Sequence, residues 1–202
     1  GRKQFDFFLN NYFTENAFKV MDTEEFIVYI NEKLLDTDIE AKEKIRLEEW
    51  IYGAGIPDNC PEVNSTKFKN VDNAIHSFEK GYPLANINSA KWSSHEWLHF
   101  LRKLPKDSSL KDLKKLDTAF EFTTSGNSEI LNAWFQLTIP TGYKAADNAL
   151  EDFLMTVGRR KFLQPLYEAL YMKDPLRAKR IYKNARENYH SVSTQTLDAI
   201  VL

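Results

Sequence analysis

Two short stretches of this 202-residue sequence combine residue types whose spacing could do chemistry. The first is His95-Glu96-Trp97-Leu98-His99, which fits the pattern H-E-x-x-H. Two imidazoles four positions apart share one face of a helix and can hold zinc, while the glutamate activates a metal-bound water. The second is Gly158-Arg159-Arg160-Lys161-Phe162, where cations crowd the opening of a predicted helix. A carboxylate is received best by a guanidinium, a second positive charge and the free N–H groups of a helix N-terminus. All three coincide at 158–162.

The two stretches differ in what surrounds them. Ser93 and Ser94 stand directly before the histidine pair, so His95 falls in a first helical turn and Glu96 sits where a capping acid belongs. A zinc peptidase of this type also needs a third ligand, usually a glutamate about twenty residues on, on a following helix. The nearest candidate, Glu121, lies in the alternating stretch Phe120–Thr124 just before Ser125-Gly126. Trp97, Leu98, Leu101 and Leu104 give the helix an ordinary apolar packing face. The match is therefore expected to be fortuitous, with no metal on His95, Glu96 or His99.

The cationic stretch has its own bland alternative, a solvated basic face. Residues 159–186 carry nine basic residues against Glu168 and Asp174. In a regular helix, positions two apart point about 200° away from each other. Arg159 and Lys161 can therefore converge only if Arg159 is still in the turn, which Gly158 favours. Arg160 is then the cation left pointing elsewhere.

The elements that must position these residues are helices. Phe5, Phe8, Leu9, Tyr12 and Phe13 make a one-faced helix without a cap, as though the sequence were a piece cut from a longer protein. A second helix runs from the capping pattern Asp22-Thr23-Glu24-Glu25 to about Leu35, and a third covers 43–52. Gly53, Gly55, Pro57 and Pro61 then interrupt, and 53–67 read as a linker. Seven more helices are predicted at about 71–80, 94–104, 109–120, 128–139, 144–157, 159–172 and 175–189. Asn127 or Ser128, followed by Glu129, caps one, Gly142 ends it, and Asp174-Pro175 opens another. No strand pattern survives beyond the lone Phe120–Thr124 alternation. The expected fold is all-α, a stack of antiparallel helix pairs of the armadillo or HEAT type, wound as a right-handed superhelix.

Composition narrows the function classes. Hydrophobic residues make up 43% of the chain and charged residues 28%, enough for a real core and too much for disorder. A net charge of -2 gives no electrostatic reason to expect nucleic acid. Phe162, Tyr167, Tyr171 and Tyr182 interleave with the basic run, but at helical spacing that suits a core. No apolar run approaches the ~20 residues of a membrane helix, so no membrane partner is expected. Cys60 is the only cysteine, which excludes an internal disulfide and fits a reducing compartment such as the cytoplasm. From these features alone, a free-standing helical-repeat scaffold for protein partners remains a competing reading.

Four segments bear a family likeness. Leu47-Glu48-Glu49-Trp50-Ile51-Tyr52-Gly53-Ala54-Gly55-Ile56-Pro57 resembles the Trp-x-x-Trp-Leu-Tyr-x-x-Gly-Leu-Pro-Pro stretch that leaves the catalytic domain of leukotriene A4 hydrolases. Leu47 stands for the first Trp and Asp58 for the second Pro. Asn127-Ser128-Glu129-Ile130 is similar to the family's Asn-Ser-Glu-Ile helix start. Gly158-Arg159-Arg160-Lys161-Phe162 with Pro165-Leu166 resembles Gly-Arg-x-Lys-Phe-x-x-Pro-Leu, and His190-Ser191-Val192 resembles His-Pro-Val. The segments keep family order over 47–192, and Ser93-Ser94-His95 falls on a Ser-Ser-His helix start that binds no metal.

The resemblance implies the C-terminal part of a zinc aminopeptidase. Residues 1–38 would be the last helices of a thermolysin-like catalytic domain, 39–67 a connecting helix and linker, and 68–202 the C-terminal helical-repeat domain. The zinc ligands and the loop that holds the substrate amine would lie upstream, so this part alone is expected to hold no zinc and to be inactive. Its partners would be that catalytic domain and short peptide substrates, whose free carboxylate would meet Arg159 and Lys161 as the helical domain closes the cleft.

Overall fold

A computed structural model describes residues 1–105 and 108–202, which divide into two compact units, Gly1–Asn64 and Ser65–Leu202. Every regular element among the described residues is helical. None of those helices is long and apolar enough to cross a membrane.

The first unit contains α1 (Arg2–Glu15), α2 (Thr23–Ile30), α3 (Ile39–Ile45) and α4 (Leu47–Tyr52). Asp22 and Glu25 close the capping box that opens α2: Glu25 N donates to Asp22 Oδ1 at 2.8 Å, and Asp22 N to Glu25 Oε2 at 3.2 Å. Past Ile30 the helix widens into a π turn over Asn31–Leu35. Phe8, Ile30 and Leu35 form a small core, with Leu9, Phe26, Tyr29, Leu34 and Leu47 against it. The third helix, expected unbroken over 43–52, is divided at Arg46, whose φ of 52° is left-handed. Its guanidinium bonds Glu49 and reaches Asp58 at 2.5 Å, contacts that hold a conformation arginine rarely adopts.

The second unit holds α5 (Thr66–Glu79), α6 (Ser94–Lys103), α7 (Leu110–Phe120), α8 (Ser128–Thr141), α9 (Asp147–Thr156), α10 (Arg160–Lys173), α11 (Pro175–Ala185) and α12 (Ser191–Val201). Short 3-10 turns sit in several of the connections. The alternating stretch at 120–124 is one of them. Phe120 ends α7, Glu121 turns left-handed at φ 53°, and Phe122–Thr124 coil as a 3-10 turn. The signals read for α8 and α11 hold: Asn127 Oδ1 accepts from Glu129 N at 2.9 Å, Gly142 ends α8 at φ 76°, and Asp174 caps Arg177 N at 3.0 Å.

Helices α6, α8, α10 and α12 pack side by side as one layer; α5 lies on α6, and α11 lies against α9, α10 and α12. The core between them buries Phe100, Trp134, Phe135, Leu163, Tyr167 and Tyr182. This is the all-α stack of antiparallel pairs. Because alternate helices run the same way, the even-numbered ones all begin at one edge.

Candidate functional site

That edge brings together segments far apart in sequence. At the α6 start, Ser94 Oγ accepts from Asn127 Nδ2, the cap of α8, at 2.9 Å. At the α8 start, Glu129 accepts from Lys161 Nζ in the first turn of α10. One turn further, Asn132 Nδ2 donates to the carbonyl of Phe162 at 3.0 Å. From α12, Ser193 Oγ donates to the carbonyl of Gly158 at 2.9 Å. Three of the four sequence segments singled out above, and the Ser-Ser-His start, thus meet along one row of helix N-termini.

The opening of α10 is the charged centre of this row. Arg159 is its N-cap, with φ -78° and ψ 119°, so its backbone is still extended and in the turn. The side chain therefore escapes the 200° divergence of a regular helix. The guanidinium carbon of Arg159 lies 5.7 Å from the centre of the Phe162 ring, and the ammonium of Lys161 lies 5.4 Å from the same ring. Both cations are exposed, and each lies within cation–π range of the same ring. Arg160 is also exposed. Chemically, the place offers a fork of guanidinium donors and an ammonium beside the unpaired N–H groups of a helix start.

Much of the remaining basic run is spent on the fold. Arg177 Nη1 donates to Asp147 Oδ1 at 2.7 Å, Arg180 bonds both carboxylate oxygens of Glu151, and Arg186 bonds both of Asp198. The Arg180 hydrogen bonds hold the Glu151 carboxyl below its ordinary range. Lys173 Nζ donates to the carbonyl of Pro140 at the end of α8. Among the described residues, the Arg159 side chain makes neither hydrogen bond nor ion pair, which sets it apart from these three arginines.

The H-E-x-x-H residues occupy a different environment. Glu96 is buried, and its Oε2 accepts from Ser93 N at 2.9 Å and Ser93 Oγ at 2.8 Å, with Lys67 Nζ 3.7 Å away. The backbone N–H of Ser93, then its hydroxyl, keep the Glu96 carboxyl below the usual carboxylate range. His99 Nε2 is 2.7 Å from Asp72 Oδ1 on α5, and the ring stacks on Phe68 at 4.6 Å. His95 is exposed. Among the described residues no three His, Cys, Asp or Glu side chains gather as a metal would require. Glu96, the acid that an H-E-x-x-H site would use to activate water, is folded back onto the helix cap.

Glu129, Asn132 and Ser193 were not singled out by sequence beyond Glu129's place in a first turn. The bonds joining successive helix starts link residues 33, 32 and 35 positions apart, the length of one helix pair, a spacing that no repeat in the sequence announces.

Comparisons with known proteins bear on the family and the fold. The family model described as "Leukotriene A4 hydrolase, C-terminal" matches residues 92–201, more than half of the chain. The chain belongs to this family. It is 30% identical to "Leucine aminopeptidase 2-2" of Scheffersomyces stipitis over 95% of its length, and 29% identical to "Leucine aminopeptidase 2" of Yarrowia lipolytica over 95%. It spans only 33% and 32% of those proteins, about a third of each. A native yeast LTA4 hydrolase structure matches all of the chain with a TM-score of 0.80 at 23% identity, over 36% of its own length. That likeness shows the helical fold shared by leukotriene A4 hydrolase C-terminal regions.

Proposed function

We propose that this chain is the substrate-side C-terminal part of an aminopeptidase that releases N-terminal residues from short peptides. Arg159 and Lys161 receive the peptide's free carboxylate as the helical domain closes over the cleft. The reading rests on one observation above all: two cations of a family-like Gly-Arg-x-Lys turn each lie close to the Phe162 ring at an edge of helix N-termini. The names of the aligned relatives supply the reaction class.

The division of labour proposed from the sequence is retained: 1–38 as the last helices of a thermolysin-like catalytic domain, 39–67 as connection, 68–202 as the helical-repeat domain. Exposed aromatic residues in the first unit support it, since Phe7 and Phe13 would pack against the rest of a catalytic domain. Zinc would be held by that domain, polarising the scissile carbonyl and lowering the pKa of its bound water. This chain's contribution is to orient the peptide by its far end.

Orientation by a charge-assisted contact changes affinity by roughly tenfold to a hundredfold. In the intact enzyme, Arg159→Ala should therefore raise KM and lower kcat/KM for free-acid tripeptides by about that factor. The corresponding C-terminal amides, which bring no carboxylate, should be nearly unaffected. Equal losses on acid and amide substrates would remove the assignment.

A further inference from the structure

We propose that Glu129 is an internal competitor for the substrate carboxylate, a residue that sets how strongly the Arg159–Lys161 site discriminates free acids from other peptide ends. The inference rests on the carboxylate reading given above. Its own ground is the ion pair in which Glu129 Oε1 accepts from Lys161 Nζ, across the starts of α8 and α10.

The geometry has three consequences. A carboxylate already sits on one of the two cations, in the place a substrate carboxylate would take. The charge at this point is then one net positive unit, from Arg159, Lys161 and Glu129 together, rather than two. And Glu129 has somewhere to retreat: it lies in the first turn of α8, where the helix dipole favours an acid, and its backbone N–H is held by Asn127. Displacing it from Lys161 does not strand it in the core, because the Glu129 side chain is 31% exposed and that of Lys161 is 51% exposed. Arg159, with no ion pair among the described residues, is the first contact for an arriving anion. Lys161 is the second, and becomes available only as Glu129 yields.

An ion pair this exposed is weak, so the competition is soft, about two- to fivefold rather than orders of magnitude. The readout is the ratio of kcat/KM for a free-acid tripeptide to that for its C-terminal amide, measured on the intact enzyme. Glu129→Gln keeps the side-chain shape and removes the charge; it should raise the ratio about two- to fivefold. In a Lys161→Met background the same substitution should leave the ratio where Lys161→Met put it, because there is no longer an ammonium to compete for. An unchanged or lowered ratio in Glu129→Gln overturns the proposal, and so does a rise that persists without Lys161. If Glu129→Gln proves unfolded by circular dichroism, Glu129→Asp provides the second test. Its carboxylate is withdrawn by one methylene, and it should raise the ratio by a smaller factor. Arg159→Ala runs alongside. Should it lower the ratio while Glu129→Gln does not raise it, the competitor role fails and the carboxylate site stands. Should Arg159→Ala leave the ratio unmoved, the carboxylate site itself fails.

Discussion

Asn132 carries more of the site than its size suggests. Its amide donates to the Phe162 carbonyl at 3.0 Å, while its own oxygen accepts from Gln136 Nε2 at 2.8 Å. With only 9% of its surface exposed, it is one of few buried polar side chains in the second unit. The bond fixes where α10 begins, and so where Lys161 stands over Phe162. Asn132→Leu would fill similar volume but delete this bond between α8 and α10 and the one from Gln136. Losing a buried hydrogen bond costs about 0.5–1.5 kcal/mol. We expect the thermal midpoint of the variant to fall by several degrees, and KM for free-acid peptides to rise more than KM for their amides. A melting temperature equal to wild type would show that water replaces the amide without cost. At this scale the sequence was only half legible. The cations were evident from type and spacing, as was the Ser93–Glu96 cap that opens the H-E-x-x-H helix. The partners were not, because Glu129, Asn132 and Ser193 act across helix pairs and carry no local signature.

The end of the chain shows how an element can be hidden from periodicity and still be well held. Helix α12 begins one residue past His190, in a run of Ser, Val and Thr that has low helix propensity, and the residue pattern predicts no helix beyond 189. Tertiary contacts supply what propensity lacks. Leu197 and Val201 are fully buried, and Arg186 bonds both oxygens of Asp198 at 2.9 and 2.7 Å. The Tyr182 hydroxyl donates to the same carboxylate at 2.5 Å, and burial, aided by Asp198, pushes that phenol up to about 12. Hydrogen bonds from Arg186, then Tyr182, hold Asp198 down to about 2, against 3.8 for a free aspartate. A carboxyl whose pKa is depressed by folding stabilises the fold above its unfolded value, and that contribution disappears as pH falls through the folded value. The window here runs from about pH 4 down to pH 2. Asp198→Asn should therefore melt below wild type at pH 5 to 7, and the gap should close progressively to nothing at about pH 2. A gap independent of pH would mean that shape, not charge, is what Asp198 contributes. The unforeseen break at Arg46 has a related cause: its left-handed backbone is sustained by bonds to Glu49 and Asp58, and no glycine marks it in the sequence.

Across the whole molecule, the hydrogen bonds supply a regularity that the residue pattern does not. No sequence repeat is visible, yet contacts recur one helix pair apart. Ser94 and Asn127, Glu129 and Lys161, Pro140 and Lys173, and Asp147 and Arg177 are separated by 33, 32, 33 and 30 positions. Helix lengths and short loops were enough to foretell such a stack, since they force antiparallel neighbours whatever the side chains. They could not foretell which ends would carry the proposed function; that reading comes from the family-like turn at 158–162. The first unit poses the opposite case, a surface without visible cover. Phe7 is 68% exposed, Phe13 67%, Phe18 110% and Val20 95%, around a core of only three fully packed side chains. Soluble domains seldom leave that much aromatic area in water, and each such ring contributes a driving force for association. The purified 202-residue chain should therefore self-associate as its concentration rises, in sedimentation or light scattering. Phe7→Gln with Phe13→Gln should suppress that association while leaving the melting temperature within a few degrees, because neither ring is part of the core. If the double variant associates as strongly as wild type, the sticky surface lies elsewhere. If instead it unfolds, the two rings hold the first unit together and were never an open interface.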